Sequence, residues 1–248
     1  MRDELSSAPL GVARLSRNLA RRLERGEHLV LWGPTGSGKT TLLAAIKSLL
    51  HDRACGCSDQ TRSLDDIARA LEQALPHVVT HGASRRTARA RLWWAADSEP
   101  VVLLLDDVGT VGNAMKSFLR RLRGKIAGVM LAFDIDSPRE RARLRAQHLG
   151  CQTLRMPPLP GRIQRVLLTR EWAACGLPAV TPPVVRQLMR AAHGRPGWVI
   201  TCSALARDPM YWRGGAVRVS ILATDTELRL RTSKRALQYP PGTQVRTR

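Results

Sequence analysis

Eight residues, GPTGSGKT from Gly33 to Thr40, constrain this chain more than any other segment. They follow a short apolar run, His28 to Trp32 (HLVLW), and open a helix read from Lys39 to Leu50. Gly33, Gly36 and Gly38 free the backbone to curl so that successive N–H groups point inward. A ring of N–H donors at a helix N-terminus is a ready anion site. The G-x-x-x-x-G-K-T spacing, between a strand and a helix, is that of a loop wrapped around a phosphate tail. Pro34, Thr35 and Ser37 complete the loop, Lys39 is expected to bridge the outer phosphates, and the Thr40 hydroxyl to ligate Mg²⁺. Thr41 is expected near the innermost phosphate.

The rest of the first 158 residues alternates strands and helices. Val101–Leu105 and Gly128–Phe133 are continuous apolar runs, the pattern of strands buried on both faces. Arg53–Cys57 and Cys151–Met156 read as further strands, and Leu64–Leu75, Thr87–Ala96 and Ala114–Leu122 as helices. Ser63 and Asp66 form a capping box before Leu64. Such alternation predicts a parallel sheet covered by helices on both faces, a three-layer α/β/α sandwich. Two of its strands end in carboxylates. Asp106 is expected to hold Mg²⁺, Asp107 to orient or deprotonate an attacking water, and Asp134 to sense the terminal phosphate. Ser137, Pro138 and Glu140 are a helix start, with the helix reaching about His148. After Pro160 the pattern is helical: Arg162–Cys175, Pro183–Ala192 and Trp198–Leu205. The turn Gly194-Arg195-Pro196-Gly197 could bring Pro196 to a base and Arg195 to phosphates, or could be an ordinary turn with a surface arginine. From Asp208 periodicity weakens, and a basic stretch, Arg229 to Arg248, closes the chain.

Composition bears on partners. The 248 residues hold 40 Lys and Arg against 20 Asp and Glu, a net charge of +20. That excess favours a polyanion, and with aromatics at only 4 %, backbone phosphates rather than stacked bases. Basic clusters stand at Arg120, Arg121, Arg123 and Lys125, at Arg139, Arg141, Arg143 and Arg145, and at Arg229, Arg231, Lys234 and Arg235. Each alone is an ordinary solvated face; together they suggest DNA. The five cysteines are expected as reduced thiols, and the Cys55-x-Cys57 spacing matches no zinc knuckle. No apolar run approaches the roughly 18 residues of a membrane helix, and the N-terminus lacks a secretory apolar stretch. A cytoplasmic, nucleoid-associated protein is expected.

LVLWGPTGSGKTTLL, SLDDIARALEQAL, VVLLLDDVG, GVMLAFDIDSPRERARLRAQHLG, LRMPPLP and AAHGRPGWV together resemble the AAA+ and STAND branch of the P-loop ATPases. Within it the chain is most similar to the compact bacterial ExeA, TniB and TnsC-like ATPases, themselves like origin-recognition ATPases. The resemblance covers roughly residues 15–205. It implies a nucleotide-binding core (residues 1–158), a helical lid (159–207), ATP bound between them, and assembly into rings or filaments. It also implies work on DNA, with a transposase or another recombination protein as partner. Three departures stand out. Asp107 replaces the usual Glu, GRPGW has the G-x-P form of STAND lids, and no Ser-Arg pair precedes the last strand. Residues 208–248 form a basic extension in this division.

The expected activity is therefore a slow ATPase that regulates a DNA transaction. The alternative is a STAND-like nucleotide switch that recruits protein partners without touching DNA. A small-molecule kinase is the third reading, and the lid-like GRPGW segment argues against it.

Overall fold

The computed structural model describes residues 11–109, 111–137, 139–140 and 150–238, with backbone alone for 233–238. The chain divides into two compact units, one of Met1–Gly33 with Lys39–Met156, the other of Pro34–Gly38 with Pro157–Arg248.

The first unit is built on a five-stranded, all-parallel sheet. Its strands are β1 (His28–Gly33), β2 (Cys55–Ser58), β3 (Val102–Leu105), β4 (Gly128–Asp134) and β5 (Gln152–Arg155), in the order β2-β3-β4-β1-β5. One face carries α1 (Ala13–Glu24) and α2 (Lys39–Leu49); the other carries α3 (Leu64–Ala74), α4 (Arg85–Ser98) and α5 (Asn113–Leu122).

Alternation within each strand divides the core. Val102, Leu104, Met130 and Ala132 pack with Leu19, Leu23, Leu42 and Ile46 of α1 and α2. Leu103, Leu105, Val129 and Leu131 pack with Ile67, Leu71, Leu92 and Leu119 of the opposite helices. Both faces are dry, so β3 and β4 read as unbroken apolar runs. At roughly 25 cal/mol per Å² of apolar surface, this burial is the main favourable contribution to the unit's stability. Gly56 sets how near α3 can come to β2: a Cβ there would lie 1.8 Å from the Ala70 carbonyl oxygen.

Helix α3 starts with the expected capping box. The Asp66 N–H donates to Ser63 Oγ, and the Ser63 N–H donates back to Asp66 Oδ2. The same device stands at Ser137 and Glu140, where the Glu140 N–H donates to Ser137 Oγ and the Ser137 N–H to Glu140 Oε2. The helix expected to follow, with Arg141, Arg143 and Arg145, lies outside the described residues.

The sheet's connections set the position of the site. From β1 the chain crosses to β2 at one edge, returns through β3 and β4, and then places β5 on the far side of β1. Ligands of open parallel sheets bind beyond the carboxyl ends of the strands at such a reversal. The β1 register sets Gly33 opposite Asp134.

The second unit contains α6 (Gly161–Ala174), α7 (Pro182–Ala192), α8 (Pro196–Leu205), a hairpin of β6 (Trp212–Arg213) and β7 (Ala216–Val217), and α9 (Val219–Gln238). Its core gathers Leu168, Trp172, Leu188, Trp198, Val199, Tyr211 and Leu222. The weakly periodic stretch after Asp208 thus contains a 20-residue helix whose Leu222 joins the helical core. Thr226 sits in the same buried stripe, and its hydroxyl donates to the Leu222 carbonyl at 2.6 Å. The terminal segment 239–248 lies outside the described residues.

Candidate nucleotide site

Gly33 anchors the start of the loop. Its carbonyl accepts the Ile135 N–H at 3.0 Å and the Lys39 ammonium at 3.0 Å, which fixes the end of β1 against the end of β4. The loop then turns through Gly36 (φ 77°) and Gly38 (φ 93°), and the Ser37 N–H donates to the Pro34 carbonyl at 3.1 Å. Left-handed backbone at both positions is what glycine accommodates without strain. Ser37 and Lys39 are buried, whereas Thr41 is exposed.

Lys39 also forms an ion pair with Asp134. A lysine amine only 5 % exposed requires an acceptor or a counter-charge, because desolvating it alone would cost several kcal/mol. Asp134 supplies the charge. A carboxylate beside a phosphate site, repulsive if isolated, is here the partner of the site's own cation.

Asp106 is buried at the end of β3. Burial pushes its carboxyl above the ordinary aspartate value, and Asp134 pushes the same way. A hydrogen bond from the Thr40 hydroxyl, one from the Asp107 N–H at 2.8 Å, and the charge of Lys39 oppose the rise. Oxygens of Thr40 and Asp106 near enough to share a proton are near enough to share a small cation. The donor set, one hydroxyl and one carboxylate, suits Mg²⁺, which keeps most of its water and takes few protein oxygens.

Asp107 has φ 39°, an uncommon value for a residue with a Cβ. Its carboxylate pairs with the Arg62 guanidinium. Backbone bonds hold Arg62 in place: the Thr61 N–H donates to the Asp106 carbonyl at 3.0 Å, and the Gly109 N–H to the Thr61 carbonyl at 3.2 Å. Arg62 was not legible as a site residue, since it lies 45 positions from its partner and only the β2–β3 pairing joins them.

In the second unit, the Gly197 N–H donates to the Gly36 carbonyl at 2.9 Å. A Cβ on Gly197 would lie 2.8 Å from Gly36 Cα, so glycine is required for this approach. Pro196 and Gly197 are the first residues of α8, and the loop tip meets that helix start. Arg195 pairs within the second unit. Its guanidinium reaches Glu227 of α9 at 2.7 Å and 3.4 Å and the Ala192 carbonyl at 3.2 Å. Arg195, read from the sequence as either a phosphate contact or a turn arginine, ties two helices of its own unit together. A bidentate pair that is largely buried on the arginine side satisfies the guanidinium better than solvent would.

The basic clusters separate likewise. Arg120, Arg121, Arg139 and Arg229 are exposed, whereas Lys125 is bound to Asp97 at 2.6 Å. Arg14, Arg17 and Arg21 add an exposed basic stripe along α1. Among the described residues, no group of three or more His, Cys, Asp or Glu could hold a metal ion. None of the described helices is long and apolar enough to cross a membrane.

Residues 21–135 match the family model of the AAA domain. This span runs from α1 through the loop, Asp106 and Asp107 to Asp134. That match covers just under half of the chain. The fold of the chain is similar to that of the Aeropyrum pernix ORC1 protein solved in complex with DNA (17 % identity, 97 % of this chain and 72 % of that one, TM-score 0.54). It is similar to Cdc6p from Pyrobaculum aerophilum (18 %, 82 % and 64 %, 0.51). It is also similar to the replication initiator DnaA bound to AMPPCP and single-stranded DNA (16 %, 94 % and 69 %, 0.50). At these identities the likeness is one of fold. The chain spans less than two thirds of the Cdc6p chain and 60 % of a matched DNA replication initiation factor. No curated protein matches the amino-acid sequence.

Two expectations follow. Asp134→Asn, nearly isosteric, should tighten binding of a fluorescent ATP analogue by about tenfold, because Lys39 loses a competing charge-assisted bond; unchanged affinity would show that the carboxylate does not compete. Arg195 holds the Glu227 carboxyl below its ordinary value, so this pair stabilises the fold above the usual carboxylate range and stops doing so as pH falls through the lowered value. Glu227→Gln should cost about 1 kcal/mol at pH 7 in urea unfolding, with the deficit vanishing once pH has fallen through the lowered value of the Glu227 carboxyl. A deficit independent of pH would contradict the ion-pair origin.

Proposed function

We propose that this protein is an ATP-binding, slowly hydrolysing AAA+ regulator of the origin-recognition type that assembles on DNA. The observation that carries the nucleotide half is the meeting of Lys39, Thr40, Asp106 and Asp134 at the carboxyl ends of β1, β3 and β4, beside a loop with glycine at both left-handed positions. In this reading residues 33–40 wrap the phosphates and Lys39 neutralises the outer two. Thr40 and Asp106 would hold Mg²⁺. When bound, the ion offsets charge that builds on the phosphate oxygens during transfer to water. Asp107 orients the attacking water, and Arg62 positions Asp107. Asp134 exchanges its hold on Lys39 for contact with that water. The Asp side chain, one methylene shorter than Glu, favours slow turnover. Pro196 and Gly197, at the start of α8, report the state of the loop to the helical lid (159–207).

The DNA half is supported by the charge of +20 and by exposed arginines such as Arg14, Arg17 and Arg21. Solved relatives of the fold were captured with DNA, and one of them with a nucleotide analogue as well. Self-assembly and a recombination-protein partner extend this reading, as does a place at the nucleoid. A protein-recruiting switch is the alternative, and the Arg62–Asp107 pair, which occupies the proposed water-activating acid, favours it over fast hydrolysis.

The test combines turnover with DNA retention. Asp107→Ala should bind ATP normally and hydrolyse it at least about tenfold more slowly. Duplex DNA should bind at low salt with ATP present, and log affinity should fall steeply against log salt. Replacing Arg14, Arg17 and Arg21 with alanine should flatten that slope by about 3. Absence of DNA binding at low salt with ATP would leave only the protein-recruiting switch.

A further inference from the structure

The chain has few aromatic residues, yet three of them meet at one place away from the nucleotide site. Trp93 and Trp94 of α4 face Phe118 of α5 across a groove of about 460 Å³. The Trp93 and Phe118 rings sit 5.5 Å apart and tilted by 55°. Trp94 is 68 % exposed, the bulkiest side chain among the exposed apolar residues described. Arg86, Arg89 and Arg121 line the same groove, and no acidic residue does. A large exposed indole beside an apolar floor costs solubility unless something covers it. Trp and Arg are the residue types that dominate protein-binding hot spots.

Charge and chemistry select the occupant. A second copy of a +20 chain would bring more positive charge to an already positive groove. Nucleic acid would suit the arginines but not the floor. Lys125 lies 5.5 Å and 5.3 Å from the centroids of Trp93 and Trp94, so one face of each indole is already covered by a cation. What remains is an apolar trough between two helices, edged by guanidinium groups. Helix α4 has 14 residues, about 21 Å at 1.5 Å per residue. We propose that this groove seats an acidic amphipathic helix of a partner protein, with aliphatic side chains against Trp93, Trp94 and Phe118 and carboxylates against the arginines. Helix-in-groove docking needs only such anchors at i, i+3, i+4 and i+7.

The site is independent of the proposed ATPase machinery and can be tested apart from it. The probe is a fluorescein-labelled 14-residue peptide of Leu and Glu with leucines at i, i+3, i+4 and i+7. Controls are an isomer with scattered leucines, the Lys-for-Glu version, and a labelled oligo(dT). Anisotropy is read on the full chain at 150 mM salt. The acidic amphipathic peptide should bind, and Trp94→Ala and Arg89→Glu should each weaken it by about tenfold or more. Both variants should keep their thermal midpoint and ATP turnover, since both positions lie outside the core. Three outcomes overturn the proposal: no binding at peptide concentrations of about 1 mM, equal binding of the scattered isomer, or Trp94-dependent binding of oligo(dT) but not of the peptide.

Discussion

Everything at the nucleotide site depends on the pairing of β1 with β4. That register sets Gly33 opposite Asp134, and Lys39, six residues later, turns back to both. A slip by one residue would reverse which side chains face α2 and which face α5, so the two cores on either side of the sheet hold the register in place. Packing energy distributed over Leu29, Leu31, Met130 and Ala132 on one face, and Val30, Val129 and Leu131 on the other, is thereby converted into the position of one ammonium group.

Each charged group around the loop has a counterpart. Lys39 answers Asp134, Thr40 donates to Asp106, and Arg62 answers Asp107. In the proposed function, a triphosphate with its magnesium would bring the same kinds of charge into this network, and the groups would change partners without leaving a buried charge unpaired. Exchange of partners rather than exposure of new ones makes a local ligand able to shift loop and helix positions at low cost. At the Gly36–Gly197 contact main chain meets main chain, and no side chain can yield.

Much of this was legible from residues alone. The loop announces itself by spacing. β3 and β4 are visible because a parallel sheet buried on both faces requires unbroken apolar runs, and the caps at Ser63 and Ser137 follow from local hydrogen-bond chemistry. What stayed hidden depends on distance in the chain. Arg62 acquires its meaning only when β2 lies beside β3, and the Arg195–Glu227 pair exists only because α9 comes within reach. That helix was itself obscured, since its threonines and serines are poor helix signals and its buried stripe includes the polar Thr226. The Trp–Phe groove was equally hidden, because α4 and α5 are separated by β3, and the scarcity of aromatics overall masks their gathering at one point.

The most direct measurement is calorimetric titration of the full chain with ATP and Mg²⁺, set beside the Lys39→Ala variant. The account predicts one site per chain in the wild type, weakened when Mg²⁺ is withheld and lost in the variant while its thermal unfolding stays cooperative. Undiminished ATP binding by a folded Lys39→Ala protein would contradict it.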